Sequence, residues 1–283
     1  MFRRADQLLI EQMQDKFPLH VLEYYWEGFE PSLTCLDVTS DEVLDFDFED
    51  VGFLVSEKRT CVGYFDGDNY IKCPKNAPVT TFGQCPECSK ESFIPFQECV
   101  FDPKCDGEIC DLPFCKREHV LYLAFYDTRA KIGMSSSRRV ERRLVEQGAD
   151  AFAIIGSFGS RKKAREAEKD ISAKLRIPQA FKQEMLLQCL SKPVNRNGIE
   201  EKFKGLSVSL RESYELEAEE LNWLEEYPID LPLAHAPQLR ETPGSHRGEF
   251  VGIKGKWMIY ESSGYKALNL SDLPARYLSR EKF

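Results

Sequence analysis

Ten cysteines stand in this 283-residue chain, and eight of them fall between Cys61 and Cys115. In a reducing compartment such a cluster reads as metal ligation rather than disulfide bonding. Cys85-Pro86-Glu87-Cys88 is a CxxC knuckle that can turn two thiolates toward one ion. With Cys61 and Cys73 it makes four soft ligands, the donor set that holds Zn²⁺ tetrahedrally. Cys99, Cys105, Cys110, Cys115 and His119 form a second group, with five candidates for four positions, and spacing does not choose among them. One or two structural zinc ions are expected. A scatter of buried free cysteines is the plain alternative. An iron–sulfur cluster ranks lower, because its compact CxxCxxC pattern is missing.

The second chemical feature is charge segregation. Residues 129–182 carry 14 basic and 6 acidic side chains, inside a chain whose net charge is −9. Arg138, Arg139, Arg142, Arg161, Lys162 and Lys163 stand out as a face for a polyanion, DNA or RNA, with tRNA docking as one form of it. The bland reading is two solvated helix faces with pairs such as Arg142–Glu146.

The elements that must position these residues follow from patterning. Residues 1–60 are acidic and β-rich, although Asp6–Tyr25 has helix-like spacing interrupted by Pro18. Val43–Phe48, Phe53–Val55 and Val62–Phe65 read as strands, with Asp66-Gly67-Asp68 as a hairpin turn. Residues 61–119 form a cysteine-rich module with little apolar core of its own, so metal would order it. Residues 120–183 read strand, strand, helix, strand, helix. Ser135–Ser137 offers a cap for the first helix, Gly148 stops it, and Ser160 caps the second. Residues 184–240 form a helical segment (Glu212–Glu226) and a proline-marked linker, and 241–283 a small β unit. There Gly252-Ile253-Lys254-Gly255-Lys256 either cradles phosphate through backbone N–H groups or bends a strand. The class is α+β. No stretch reaches the roughly 18 apolar residues of a membrane span. The basic start at Arg3-Arg4 leads into no apolar region, so a cytoplasmic protein without signal peptide is expected.

The middle of the chain resembles the GIY-YIG nuclease core: a strand bearing Tyr122, then Lys131-Ile132-Gly133, a helix with Arg143, a strand, and a helix with Glu168. Lys131 stands where that superfamily usually has a tyrosine, and its later histidine and asparagine have no counterpart. The resemblance implies a single-metal phosphodiesterase. In it Glu168 holds Mg²⁺ or Mn²⁺, Arg143 forks onto phosphate, Tyr122 positions water, and Lys131 serves as clamp or base. A wider resemblance rests on His119-Val120-Leu121-Tyr122-Leu123-Ala124, Lys131-Ile132-Gly133, Arg143-Leu144-Val145-Glu146-Gln147-Gly148-Ala149, Glu168 and Gly252–Lys256. These strings are similar to the prokaryotic family catalogued as domain of unknown function 2797. Two main readings stand, an endonuclease, or a binding or structural module that kept the fold and lost cleavage, with an RNA-modification role using zinc modules for tRNA docking as a third.

Overall fold

The computed structural model describes residues 18–49, 51–91, 99, 102–108 and 113–280. In chain order, β1 (Leu19–Glu27) and β2 (Glu30–Asp37) form a hairpin, followed by β3 (Glu42–Asp45) and β4 (Gly52–Val55). A second hairpin, β5 (Tyr64–Asp66) and β6 (Asn69–Ile71), opens the cysteine-rich segment, which also holds α1 (Pro86–Lys90) and α2 (Pro113–Lys116). Then come β7 (His119–Tyr126), β8 (Arg129–Ser136), α3 (Val140–Gln147), β9 (Ala151–Phe158) and α4 (Arg161–Leu175), the order expected from patterning. The chain continues through α5 (Gln183–Cys189), α6 (Arg196–Tyr214), β10 (Asn222–Trp223), β11 (Gln238–Leu239) and β12 (Gly244–Arg247). It ends with β13 (Glu249–Lys254), β14 (Trp257–Glu261), β15 (Tyr265–Asn269) and β16 (Tyr277–Arg280).

Three local expectations need correction. The helical spacing over Asp6–Tyr25 does not make a helix where it is described. From Leu19 the chain is β1, whose aromatic and branched residues pair with β2, and residues 6–17 lie outside the described residues. Glu212–Glu226 is not one helix. It ends with Glu215 in the left-handed region (φ 54°), and the next residues run along β9, with the Glu219 amide bonded to the Ile154 carbonyl at 2.8 Å. Ser135 and Ser136 belong to β8, so α3 starts without a side-chain cap. Gly148 (φ 73°) stops α3, and the Ser160 hydroxyl accepts from the Lys163 amide at the start of α4, as expected.

Four sheets result. The largest has the order β12-β4-β16-β1-β2-β3, so strands from both ends of the chain share it. The central sheet is β10-β9-β7-β8, the third is β11-β15-β14-β13, and β5-β6 stands alone. Every residue of β7 is buried, because both faces of its sheet are covered. Val120, Tyr122, Ala124 and Tyr126 pack with Leu144, Val145 and Trp26 on one face. Leu121, Leu123 and Phe125 pack with Ala164, Ile171, Ile199 and Leu210 on the other. Period-two alternation thus feeds two cores, each such side chain contributing about 1.5–3 kcal/mol.

The glycine-rich string of the C-terminal part bends a strand; its glycines meet protein backbone. A Cβ on Gly252 would come within 2.5 Å of the Pro228 carbonyl oxygen. Gly255 (φ 57°) starts the two-residue turn between β13 and β14 and lies against the backbone of Gly148. Tyr24 Oη and Trp26 Nε1 both donate to the Gly255 carbonyl, the latter at 3.1 Å. Beside this contact the ammonium of Lys254 pairs with Asp150, both groups buried. Asp150 Oδ2 also accepts from the Asp127 amide at 2.6 Å. Among the described residues no helix is long and apolar enough to cross a membrane.

Candidate metal centre and anion cavity

The thiols of Cys61, Cys73, Cys85 and Cys88 converge, with all four Sγ atoms within 4.8 Å of one another and all four residues buried. A tetrahedral ion with bonds of about 2.3 Å to sulfur fits between them. The hairpin β5–β6 returns the chain so that Cys73 meets Cys61. Gly63 (φ 72°) permits this, because a Cβ there would collide with the Ile71 carbonyl. Cys85 is the N-cap of α1, with Pro86 at the first helical position, and its amide donates to Cys61 Sγ at 3.2 Å. Burial raises the Cys61 and Cys88 thiols. At Cys73 burial is outweighed by the amides of Ala77 and Lys75, which hold the thiol down at about 7. The site can hold a metal ion such as zinc.

The second group does not converge in this way among the described residues. Cys110 lies outside them, while Cys99 and Cys105 are half-buried and Cys115 is buried. His119 is 1% exposed. Its Nδ1 donates to the Arg117 carbonyl at 2.9 Å, which leaves Nε2 as an acceptor, and that atom meets no partner among the described residues. Burial lowers its pKa, so the ring is neutral at physiological pH.

The residues singled out by the nuclease resemblance meet in one cavity of about 340 Å³: Tyr122, Lys131, Arg143 and Glu168 all line it. Strand register explains the first two. Tyr122 on β7 faces Gly133 on β8, and Lys131 lies two residues along the same face. Arg139, Arg143 and Gln147 recur every fourth position, so α3 turns them all toward the cavity. Arg161, Arg165 and Glu168, spaced by four and then three positions, share one face of α4 in the same way. Pro103, Phe114 and His119 close the remaining side from the cysteine-rich segment and its junction with β7.

Charge in the cavity is lopsided. Glu168, 4% exposed, is the one carboxylate lining it among the described residues, against Lys131, Arg139, Arg143, Arg161 and Arg165. Arg165 pairs with Glu168 Oε2 and donates to Gln179 Oε1 at 3.0 Å. Arg143 Nε donates to the Tyr122 hydroxyl at 3.4 Å, and Lys131 Nζ to Gln147 Oε1 at 2.6 Å. Burial, reinforced by the charges of Arg143 and Lys256, brings Lys131 down to about 8, with Glu168 opposing. A concave excess of cations with one acidic group suits a phosphate-bearing ligand.

The other basic residues are placed differently. Arg138, Arg142 and Lys163 are exposed and Lys162 is half-buried. Arg139 and Arg142 both pair with Glu146, at 3.2 and 3.1 Å, and Lys162 lies 4.0 Å from Glu166, so part of the basic face is paired within the chain. Arg161 is only 7% exposed, lies over the Phe114 ring and interacts with Cys115. Arg165, absent from the basic face expected above, carries its signal in its helical spacing from Arg161 and Glu168. Gln179 lines the cavity through tertiary packing that leaves no local mark, and the charge of Lys256 acts on Lys131 from outside the lining.

Comparison with known proteins yields one family. Neither the curated proteins nor the solved structures give a match. The family described as "Protein of unknown function (DUF2797)" matches residues 49–275, well over half of the chain and a span that includes both the cysteine centre and the cavity. The chain belongs to that family.

Proposed function

We propose that this cavity receives a phosphate of DNA or RNA, and that the β7-β8-α3-β9-α4 unit is a GIY-YIG-like core acting as a single-metal phosphodiesterase. The observation that carries the reading is the convergence of Tyr122, Lys131, Arg143 and Glu168 from four elements, β7, β8, α3 and α4, on one cationic cavity. Zn²⁺ is the proposed ion of the four-cysteine centre, where it would fix the loops of the cysteine-rich segment.

The donor set fits one hard divalent cation. Glu168 has one oxygen engaged by Arg165 and is the carboxylate that would hold Mg²⁺ or Mn²⁺, with water and phosphate oxygens as the other ligands. When bound, such an ion supplies stabilisation of charge on the phosphate and the leaving oxygen. The chain's own side chains supply the rest. The Tyr122 hydroxyl, already fixed by Arg143, orients the attacking water. The neutral amine of Lys131 takes the water's proton as its oxygen bonds to phosphorus. Arg143 and Arg139 offset the charge of the pentavalent phosphate. The P–O3′ bond breaks, the 3′-oxygen takes a proton from solvent, and the products are a 5′-phosphate and a 3′-hydroxyl.

One observation favours the second reading, a binding module without cleavage: Arg165 occupies Glu168. Cleavage of labelled single-stranded, duplex and structured nucleic acids with Mg²⁺ or Mn²⁺ decides between them, run beside Glu168→Gln and Arg143→Ala. Cutting abolished by both changes in folded protein supports the phosphodiesterase. Salt-sensitive binding without cutting supports the module, and neither cutting nor binding refutes both.

A further inference from the structure

The cavity restricts what can reach its phosphate groups. Tyr122 is 1% exposed and Glu168 4%, Lys131 and Arg143 are half-buried, and Arg139 stands at the rim, so the floor of the site lies below the surface. The volume, about 340 Å³, is at the low end of the roughly 300–1,000 Å³ usual for small-molecule pockets. A duplex is a stiff rod and cannot enter such a space. One nucleotide swung out of a stack, or never in one, can.

The walls also differ in chemistry. Lys131, Arg139 and Arg143 come from β8 and the start of α3, while Pro103 and Phe114 come from the cysteine-rich segment, with the Arg161 guanidinium 5.4 Å from the centre of the Phe114 ring. Aromatic rings and guanidinium planes are the surfaces on which unpaired bases stack. A ligand that satisfies both walls carries a phosphate at one end and a flat apolar ring at the other.

Resting on the phosphate-site reading above, we infer that the cavity binds one unpaired nucleoside phosphate, its phosphate against Lys131 and Arg143 and its base against Phe114. The same chemistry occurs in a free mononucleotide and in an unpaired position of a strand. A paired duplex does not offer it.

The test uses the full-length, zinc-loaded chain and fluorescence anisotropy with a labelled single strand, a fully paired duplex of the same sequence, and that duplex with one bulged nucleotide. Adenosine 5′-monophosphate and inorganic phosphate serve as competitors. The expected result is at least tenfold tighter binding of the single strand and the bulged duplex than of the paired duplex. The mononucleotide should displace them at a concentration at least tenfold lower than inorganic phosphate. Displacement by the mononucleotide together with weak strand binding would identify the free nucleotide as ligand and uphold the assignment. Phe114→Ala should weaken the mononucleotide and leave inorganic phosphate unchanged, while Arg143→Ala should weaken both. The wild-type comparisons stand even if a variant fails to fold. Equal binding of the paired duplex, or equal competition by the two competitors, would overturn this inference while leaving an Arg143-dependent phosphate site intact. No binding of any of these ligands would overturn the phosphate site as well.

Discussion

The ring of Tyr122 lies over Gly133 so closely that a Cβ at position 133 would stand 2.5 Å from its terminal carbon and hydroxyl oxygen. The two residues face each other across β7 and β8, so the glycine of Lys131-Ile132-Gly133 makes the space that Tyr122 fills. Gly133→Ala is therefore expected to push the ring out of place. Overpacking of this kind costs about 1–3 kcal/mol. Thermal unfolding should show that loss, and binding of labelled single-stranded nucleic acid should weaken at least tenfold. An alanine variant with unchanged melting temperature and binding would show that the contact tolerates displacement.

Metal removal gives a second prediction. Cys73→Ser and Cys88→Ser should each lose bound zinc, read by elemental analysis, and residues 61–91 should become readily cut by protease. Gly63→Ala should do the same with every cysteine in place, since it separates the two strands that bring Cys61 and Cys73 together. Retention of full zinc content by both serine variants would place the ion elsewhere.

The third concerns pH. Lys131 is lowered to about 8, chiefly by burial and then by Arg143 and Lys256. If its neutral form takes the proton from water, the cleavage rate rises as pH approaches 8 from below and levels off above it. Lys131→Arg keeps the positive charge and cannot lose its proton, so it should abolish that rise and slow cleavage by about 10²-fold or more. A lysine serving only as a phosphate clamp gives the opposite sign: affinity falls as pH passes 8, and Lys131→Arg retains it.

A fourth lies away from the cavity. Lys254→Met leaves the Asp150 carboxylate buried without its cation, which is expected to cost about 3–5 kcal/mol in chemical denaturation. Adding Asp150→Asn removes the stranded charge and keeps an oxygen for the Asp127 amide, so it should recover a large part of the loss. Equal stability of the two variants would show that the pair carries little weight.

The elements that carry the cavity are legible because their periodicity, turns and caps are local, whereas Tyr122, Lys131, Arg143 and Glu168 are singled out by the resemblance to the GIY-YIG core. The four-cysteine centre was legible because thiols at knuckle spacing have few other uses. What was hidden depends on contacts between distant segments. Lys256 reaches Lys131 only because β13 and β14 fold back, with Gly255 on Gly148. Arg161 looked like a surface cation and is buried, because Phe114 from the cysteine-rich segment covers it. Residues 19–25 carried a spacing compatible with a helix, and pairing with β2 and β16 decided for a strand.

The place of β16 in the largest sheet has a kinetic consequence. It lies between β4 and β1, so those two early strands touch only through residues 277–280. The loop before it also anchors the cysteine-rich segment, since the Thr60 amide bonds to the Ala275 carbonyl at 2.7 Å. Contacts that span more than two hundred residues form late and slowly. The nascent chain thus spends most of its synthesis with two unpaired strand edges and reactive thiols exposed. Closure of the β5–β6 hairpin and capture of metal by those thiols are the ordering events open to this segment before β16 arrives.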